Sequence, residues 1–488
     1  MKYIIIFIAF FSFISSHSQN SKNNKPNIIL MMCDDLGWGD VGFNGNTIIK
    51  TPNLDKMASE GAKLNHFYSI GPVCSPTRAS FLTGRHYYRM GIWSANTAHL
   101  PAQEYTIAKM LKQQGYTTGH FGKWHLGTLS KTISAKGSKR KPEVNFAPPW
   151  LRDYDDSFVT ESAVCTWDPG IGPRAKNNPY YHNGIPIKDP YNENVLGDDS
   201  KVLMDRAIPF IQNAVKNNQP FVAVIWFHAP HEDIKAGPEY LKRYEGHGEA
   251  AHYYGCVNAV DDQVGRLRME LEKLGVADNT ALFFTSDNGP EGKQEMKPER
   301  PIKRAGVTGG FRGRKRDVYD GGVRVPSLAL WPKHIKPGTV IDVPVSVLDY
   351  LPTVKNMAGA KMPNDRPFDG QDMMPILKGK VNKHKKSIPF RYRNYACLVK
   401  GKYKLIIESR EDNSKDLLYN LEADKTESNN IVGVHPKMVS KMRDEILKFL
   451  DDAQESHSGR DYNDDNFIPV SKWRTMKMAP NNNKKTSQ

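Results

Sequence analysis

Four apolar stretches constrain this chain more than any other feature: PNIILMMC (26–33), PFVAVIWF (220–227), TALFFTS (280–286) and VRVPSLALWP (323–332). Strands this apolar on both faces must be covered on both sides. YTTGHFG (116–122) reads as a further strand. Between them lie amphipathic segments with helix signals. In TPNLDKMASEGA, Thr51 is the cap, Pro52 takes the first turn and Gly61 stops the helix, with Leu54, Met57 and Ala58 on one apolar face. EYTIAKMLKQQG (104–115) and segments near 200–217 and 251–274 read the same way. This alternation predicts an α/β fold, a mostly parallel sheet flanked by helices.

After about residue 380 the pattern changes. YACLVKGKYKLII (395–407) and DLLYNL (416–421) alternate as a small antiparallel sheet does, and Pro436–Asp452 reads as a helix packed on it. The expected organisation is a large α/β domain at 26–380, a smaller α+β subdomain with an antiparallel sheet at 381–460, and a tail at 461–488. The closing NNNKKTSQ reads as disordered.

The opening MKYIIIFIAFFSFISSHS has the parts of a secretory signal: Lys2, an apolar core from Ile4 to Ile14, and small residues Ser16 and Ser18. Residues 1–18 are therefore expected to be removed, and 19–25 to form a loose leader. The apolar run is short for a membrane span and no other approaches that length, so the chain is expected to be exported, periplasmic or secreted, without stable membrane insertion. Its five cysteines, Cys33, Cys74, Cys165, Cys256 and Cys397, are widely and irregularly spaced, which excludes a disulfide scaffold. A net charge of +15 favours a polyanionic partner. No nucleic-acid module pattern is present, so nucleic acid is not expected.

Open α/β sheets place their sites beyond the carboxyl ends of the strands. The first strand exits into Asp34 and Asp35, the strand ending at Gly122 into Lys123 and His125, the strand ending at Phe227 into His228 and His231, and the strand ending at Ser286 into Asp287 and Asn288. Asp-Asp and Asp-Asn-Gly are also ordinary turn residues. Delivered together to one edge, Asp34, Asp35, Asp287 and Asn288 form an all-oxygen set suited to calcium or magnesium rather than zinc.

SPTRASFLTG reads as a helix with Ser75 as cap, Pro76 in its first turn and Gly84 as its stop. Cys74 then lies at a helix N-terminus, which lowers a thiol's pKa, with Arg78 one turn along on the same face. A buried apolar cysteine, a thiolate nucleophile and a precursor of an oxygen-bearing group remain open. Soft sulfur fits poorly beside four hard ligands.

Cys74-Ser75-Pro76-Thr77-Arg78 resembles the Cys-X-Pro-X-Arg pattern of the sulfatase family, the formylglycine-dependent type I branch of the alkaline phosphatase-like superfamily. PNIILMMCDDLGWGDVG resembles that family's opening metal strand, GKWHLG its lysine-histidine segment, TSDNG its second metal pair, RGRKRDVYDGGVRVP its sulfate-binding lysine segment, and GKYKLI with LYNLEADKTESNNI its C-terminal subdomain. The resemblance implies that Cys74 is oxidised to formylglycine by a maturation enzyme, and that the aldehyde hydrate is the nucleophile and a metal ligand. It implies calcium held by Asp34, Asp35, Asp287, Asn288 and position 74, with Arg78, Lys123, His125, His231 and Lys315 catalytic. FHAPHED lacks the family's usual second proline, so the histidine role is carried to His231 ahead of His228, and Asp320 stands where glutamate is commoner.

The expected activity is hydrolysis of sulfate esters of a polysaccharide or its oligosaccharides. DDSFVTESAVCTWDPG (155–170) resembles bacterial carbohydrate sulfatases more than lysosomal ones, and the basic stretches at 131–141 and 293–316 are either cleft walls or solvated loops. The alternatives are a phosphonate or phosphate monoester hydrolase of the same fold, and an inactive binder of sulfated glycan.

Overall fold

The computed structural model describes residues 25–137, 140–172, 174–292 and 305–476. The signal segment, NNNKKTSQ and the first half of the basic stretch 293–316, residues 293–304, lie outside them.

Asn27–Cys33 is the central strand of a ten-stranded sheet and is buried throughout. Phe221–Trp226 and Thr280–Ser286 flank it, both parallel, with Met32 opposite Trp226 and Cys33 opposite Ser286. Thr117–Lys123 and Asp156–Thr160 extend the parallel run on one side. Beyond them lies the antiparallel hairpin of Tyr181–His182 and Ile185–Pro186. On the other side come Leu328–Leu330, Ala62–Leu64 and Thr339–Ile341.

The period of two along a strand divides the first strand between two cores. Ile28, Leu30 and Met32 join Phe81, Leu82, Met110, Leu111 and Leu351 on one face. Ile29, Met31 and Cys33 join Leu54, Leu203, Val260 and Leu267 on the other. Helices Cys74–Thr83, Ile107–Lys112 and Tyr350–Met357 supply the first face. Pro52–Glu60, Asp199–Lys216 and Ala250–Lys273 supply the second.

Two expectations shorten. The segment 104–115 is helical only over Ile107–Lys112, because the Thr106 hydroxyl accepts from Lys109 N at 3.2 Å and starts the helix there. Of 323–332 only Leu328–Leu330 is strand, and it runs antiparallel to Thr280–Ser286. Residues Asp320–Val323 are a helical turn, and Pro326 and Pro332 bracket what remains with no amide to donate.

The C-terminal unit is a four-stranded antiparallel sheet, Ile388–Tyr392, Tyr395–Lys400, Tyr403–Ile407 and Leu417–Asn420, backed by the helix Pro436–His457. Its first strand was not anticipated, and the helix runs beyond Asp452. Alternation again serves two cores. Ala396, Leu398, Leu405, Ile407 and Leu418 meet Met442, Ile446 and Leu450 of the helix. Cys397, Val399, Ile406 and Tyr419 face the large domain. A buried ionic junction crosses that boundary: Lys404 Nζ lies 3.0 Å from Asp320 Oδ1 and 2.9 Å from Glu427 Oε1. Residues past 460 return to the large domain, where Arg85 Nη2 donates to Asp461 Oδ2 at 2.7 Å and Trp93 Nε1 to the Lys472 carbonyl at 3.0 Å.

All five cysteines are buried and unpaired. No helix among the described residues is long and apolar enough to cross a membrane.

Candidate active site

The strand exits converge as expected. Asp34, Asp35, Cys74 and His231 each present a ligand atom within 4.8 Å of the others. Asp287 joins them through its Oδ1, which accepts from Asp35 N at 3.2 Å. Asn288 donates from Nδ2 to Asp35 Oδ1 at 2.7 Å, while its own Oδ1 is buried with no donor. A buried acceptor left unmatched is uncommon and suits an oxygen meant for a cation.

The backbone bends to make this arrangement. Asp35 and His125 sit in the left-handed region at φ 70° and 59°, which costs a non-glycine residue about 1–3 kcal/mol each. Gly122, at φ 105°, passes so close to the Trp226 carbonyl that a Cβ there would collide with it. Only glycine can end that strand and turn Lys123 inward.

Cations are matched to the acids. The Lys123 ammonium contacts Asp34 Oδ2. Lys315 Nζ lies 2.6 Å from Asp35 Oδ1 and 3.5 Å from Glu291 Oε2. Arg78 donates from Nε and Nη2 to Asp287 Oδ2 at 3.1 and 2.7 Å, from Nη1 to the Lys123 carbonyl at 3.1 Å, and lies over the Trp226 ring. Burial acts to raise the Asp34 carboxyl, but Lys123, then His231 and Arg78, hold it well below the ordinary range. Asp287 goes the other way: burial, and next the Asp34 charge, push it up to about 7. Lys315 loses some basicity to burial but is raised overall by Asp35.

Cys74 opens its helix directly after Val73, and Ser75 is no cap: its Oγ donates to the His125 carbonyl at 2.7 Å. This corrects the expectation of a lowered thiol pKa. Burial, then Asp287 and Asp34, push the Cys74 thiol far up, and its Sγ donates to Asp34 Oδ1 at 3.2 Å. The helix terminus is outweighed by two carboxylates in a dry site. A thiolate nucleophile at position 74 does not fit this field.

The histidines separate cleanly. His228 is fully buried between Asp199 Oδ2, 2.8 Å from its Nδ1, and Thr160 Oγ1, 2.7 Å from its Nε2. It braces the strand ends away from the acids. His231 keeps a fifth of its side chain exposed, and its Nε2 lies 3.7 Å from Asp35 Oδ2. Burial lowers it to about 4, against the pull of Asp34 and Asp35. His125 faces Asn96, whose Oδ1 is 2.5 Å from its Nε2, while its Nδ1 has no partner. A ring donating from Nε2 carries its lone pair on Nδ1. Burial, then Lys123, holds His125 neutral well below its ordinary pKa.

Sequence reasoning missed Asn96, Glu161 and Glu291. Glu291 follows TSDNGP closely enough to have been considered, whereas no pattern around Asn96 or Glu161 points to the site. Asp320 does not reach this cluster, since it belongs to the junction with Lys404.

The sulfatase family profile matches residues 26–360, more than half the chain. The chain belongs to the sulfatase family. A second profile, N-sulphoglucosamine sulphohydrolase C-terminal, matches residues 310–455. This sulfatase is 33% identical to steryl-sulfatase of Rattus norvegicus over 434 residues, covering 76% of this chain and 73% of the relative. It is 33% identical to N-acetylgalactosamine-6-sulfatase of Mus musculus over 376 residues, covering 73% and 67%. Among solved structures it resembles Ps i-CgsB in complex with k-i-k-neocarrahexaose, with TM-score 0.76, 28% identity, and 88% and 94% of the two chains covered. Phosphonate monoester hydrolase of Agrobacterium radiobacter, at TM-score 0.63 and 17% identity, shares the fold. The protein is a sulfuric ester hydrolase with the alkaline phosphatase-like architecture.

Proposed function

We propose that this sulfatase is exported and desulfates a polysaccharide or its oligosaccharides, using a formylglycine made from Cys74 and a bound calcium ion. The observation that carries the reading is the cluster of Asp34, Asp35, Cys74 and His231 within 4.8 Å, beside the unmatched Asn288 Oδ1. The donors are hard oxygens apart from Sγ and imidazole, and replacing Sγ by oxygen makes position 74 match them. Asp34, Asp35, Asp287, Asn288 and the oxygen at 74 would hold the cation, which would draw charge from the sulfate and offset the carboxylates.

The remaining chemistry falls to the chain's own residues. One hydroxyl of the hydrated aldehyde at 74 attacks sulfur. Lys123 and Lys315 neutralise the sulfate oxygens, and Arg78 holds Asp287 in place. Lys315, kept protonated beside Asp35, delivers a proton to the departing alcohol, or His231 at the solvent edge does so once the bound sulfate's charge has raised it. His125 Nδ1, neutral and unpartnered, takes the proton of the second hydroxyl, the C–O bond to the sulfated oxygen breaks, sulfate leaves with that oxygen, and the aldehyde is restored. Water then rehydrates it. No water attack on a covalent sulfate ester is required.

The carbohydrate assignment rests on the net charge and on the carrahexaose complex of a structural neighbour. The test is the mass of the tryptic peptide containing Cys74 from natively produced protein, alongside sulfate release from sulfated glycans. Loss of about 18 Da, the change from thiol to aldehyde, is expected in active material. An unmodified thiol in active material would overturn the aldehyde mechanism. Faster cleavage of aryl phosphonates than of sulfates would favour the phosphonate hydrolase reading.

A further inference from the structure

Two cations flank the reactive cluster without belonging to it. Lys136 stands on the His125 side. Its loop is tied to Glu161, whose carboxylate accepts from Ser134 Oγ at 2.9 Å and from Ala135 N at 3.0 Å. Glu161 in turn fixes His125, whose amide donates to its carbonyl at 3.1 Å. Arg174 stands on the other side. It donates to the Glu232 carbonyl at 2.9 Å and to Asp233 Oδ1 at 3.1 Å, directly after His231.

Arg174 therefore has side-chain partners, whereas Lys136 is tied among the described residues only through its backbone amide, which donates to Ser134 Oγ at 3.2 Å. Its half-buried ammonium has no ion pair or hydrogen bond among the described residues. Its nearest acid, Glu161, is already committed to Ser134, Ala135 and Arg140, the last at 3.6 Å. Its cationic neighbours are Lys123 and Arg174. A partly desolvated lysine among cations, with no acid to match it, is a site waiting for an anion. Burial, then Lys123 and Arg174, pull Lys136 down to about 8, so it is still charged at neutral pH and would gain by pairing.

We propose that Lys136, with its cationic neighbour Arg174, binds a second anionic group on the substrate, a sulfate or a carboxylate near the scissile ester. The inference rests on the sulfatase reading and narrows its substrate class to glycans carrying at least two anionic groups close together. Lys136 then sets specificity, and it stands apart from the residues that act on the sulfur.

The test compares 4-nitrophenyl sulfate with two relatives bearing a ring sulfonate or a ring carboxylate, using mature wild type, Lys136→Met and Lys136→Arg. The expected result is that Lys136→Met lowers kcat/KM for a dianionic probe, relative to the plain one, by about tenfold to a hundredfold, the range for losing a charge-assisted hydrogen bond. Lys136→Arg should restore the preference. The probe that responds more identifies sulfate or carboxylate as the group read. Equal change on all three probes, or none, overturns the proposal. A second arm measures binding of a disulfated galactose disaccharide to Cys74→Ala and to Cys74→Ala/Lys136→Met by calorimetry. At least tenfold weaker binding by the double variant is expected, and equal affinity overturns the proposal. If the wild type cleaves none of the sulfates, the sulfatase reading fails and the calorimetry alone decides whether the anion subsite exists.

Discussion

Replacing Lys404 with methionine tests how the C-terminal sheet is fastened to the large domain. Lys404 is fully buried between Asp320 and Glu427. Asp320 N also donates to Glu427 Oε2 at 2.6 Å, so the two acids are held face to face. Methionine fills nearly the same volume, so packing changes little and the loss is electrostatic. Removing one partner of a buried ion pair costs about 3–5 kcal/mol. At about 2.1 cal/mol/K of unfolding entropy per residue, a loss of about 4 kcal/mol lowers the melting temperature by about 4 °C if the whole chain melts as one unit. It lowers it by about 27 °C if the sheet and helix of residues 388–457 melt alone.

The pH dependence has a definite sign. In the wild type, burial pushes Glu427 up to about 7, while Asp320, raised by burial, is brought below its ordinary value by Lys404 and Arg324. The lowered Asp320 contributes stability above its unfolded pKa that is lost as pH falls. Without Lys404 both acids resist ionising together, so the variant is weakest where both would be charged. Its deficit should be larger at pH 8 than at pH 5, read by differential scanning calorimetry at the two values. A deficit under about 1 kcal/mol at pH 8, far below the expected cost, or one that grows on acidification, would refute the argument.

Other outcomes follow from the site. Cys74→Ala should give a folded protein with at least a thousandfold lower kcat, the scale of losing a covalent nucleophile, checked by sulfate release and circular dichroism. Calcium at about a hundred times its Kd should stabilise the protein by about 2.7 kcal/mol, seen as a melting shift that a chelator reverses; no shift would remove the metal from the reading. Because burial holds His125 neutral well below 6.5, its base role should produce no loss of kcat between pH 8 and 6, and a decline with a midpoint in that window would contradict it. His228→Ala should lower stability by about 1–3 kcal/mol by leaving Asp199 Oδ2 buried without its donor, measured by urea denaturation.

The sheet was legible because fully buried strands carry long apolar runs, as Ile28 to Cys33 and Ala281 to Phe284 do. The strand exits were legible for the same reason, since polarity begins abruptly at Asp34, Lys123 and Asp287. The segment 323–332 was overread because Val323 is buried at the end of a helical turn and Val325 in irregular chain, and apolarity reports burial, not conformation. The thiol was misread because a helix terminus is visible in sequence, while carboxylates from two distant strands are not. Glu161 escaped, and Lys136 was seen only within the basic stretch 131–141, left between cleft wall and solvated loop, because their importance depends on which acids are already engaged, a property of the folded contact network alone.

The burial of Cys74, only 1% exposed, fixes an order of events. Its side chain lies under the sheet edge, beyond the reach of any protein-sized catalyst once the large domain has closed. On the formylglycine proposal, conversion at this position would therefore come first and folding second. A preparation's specific activity would then record the conditions of its synthesis, because molecules that closed with the thiol intact would lack the proposed aldehyde.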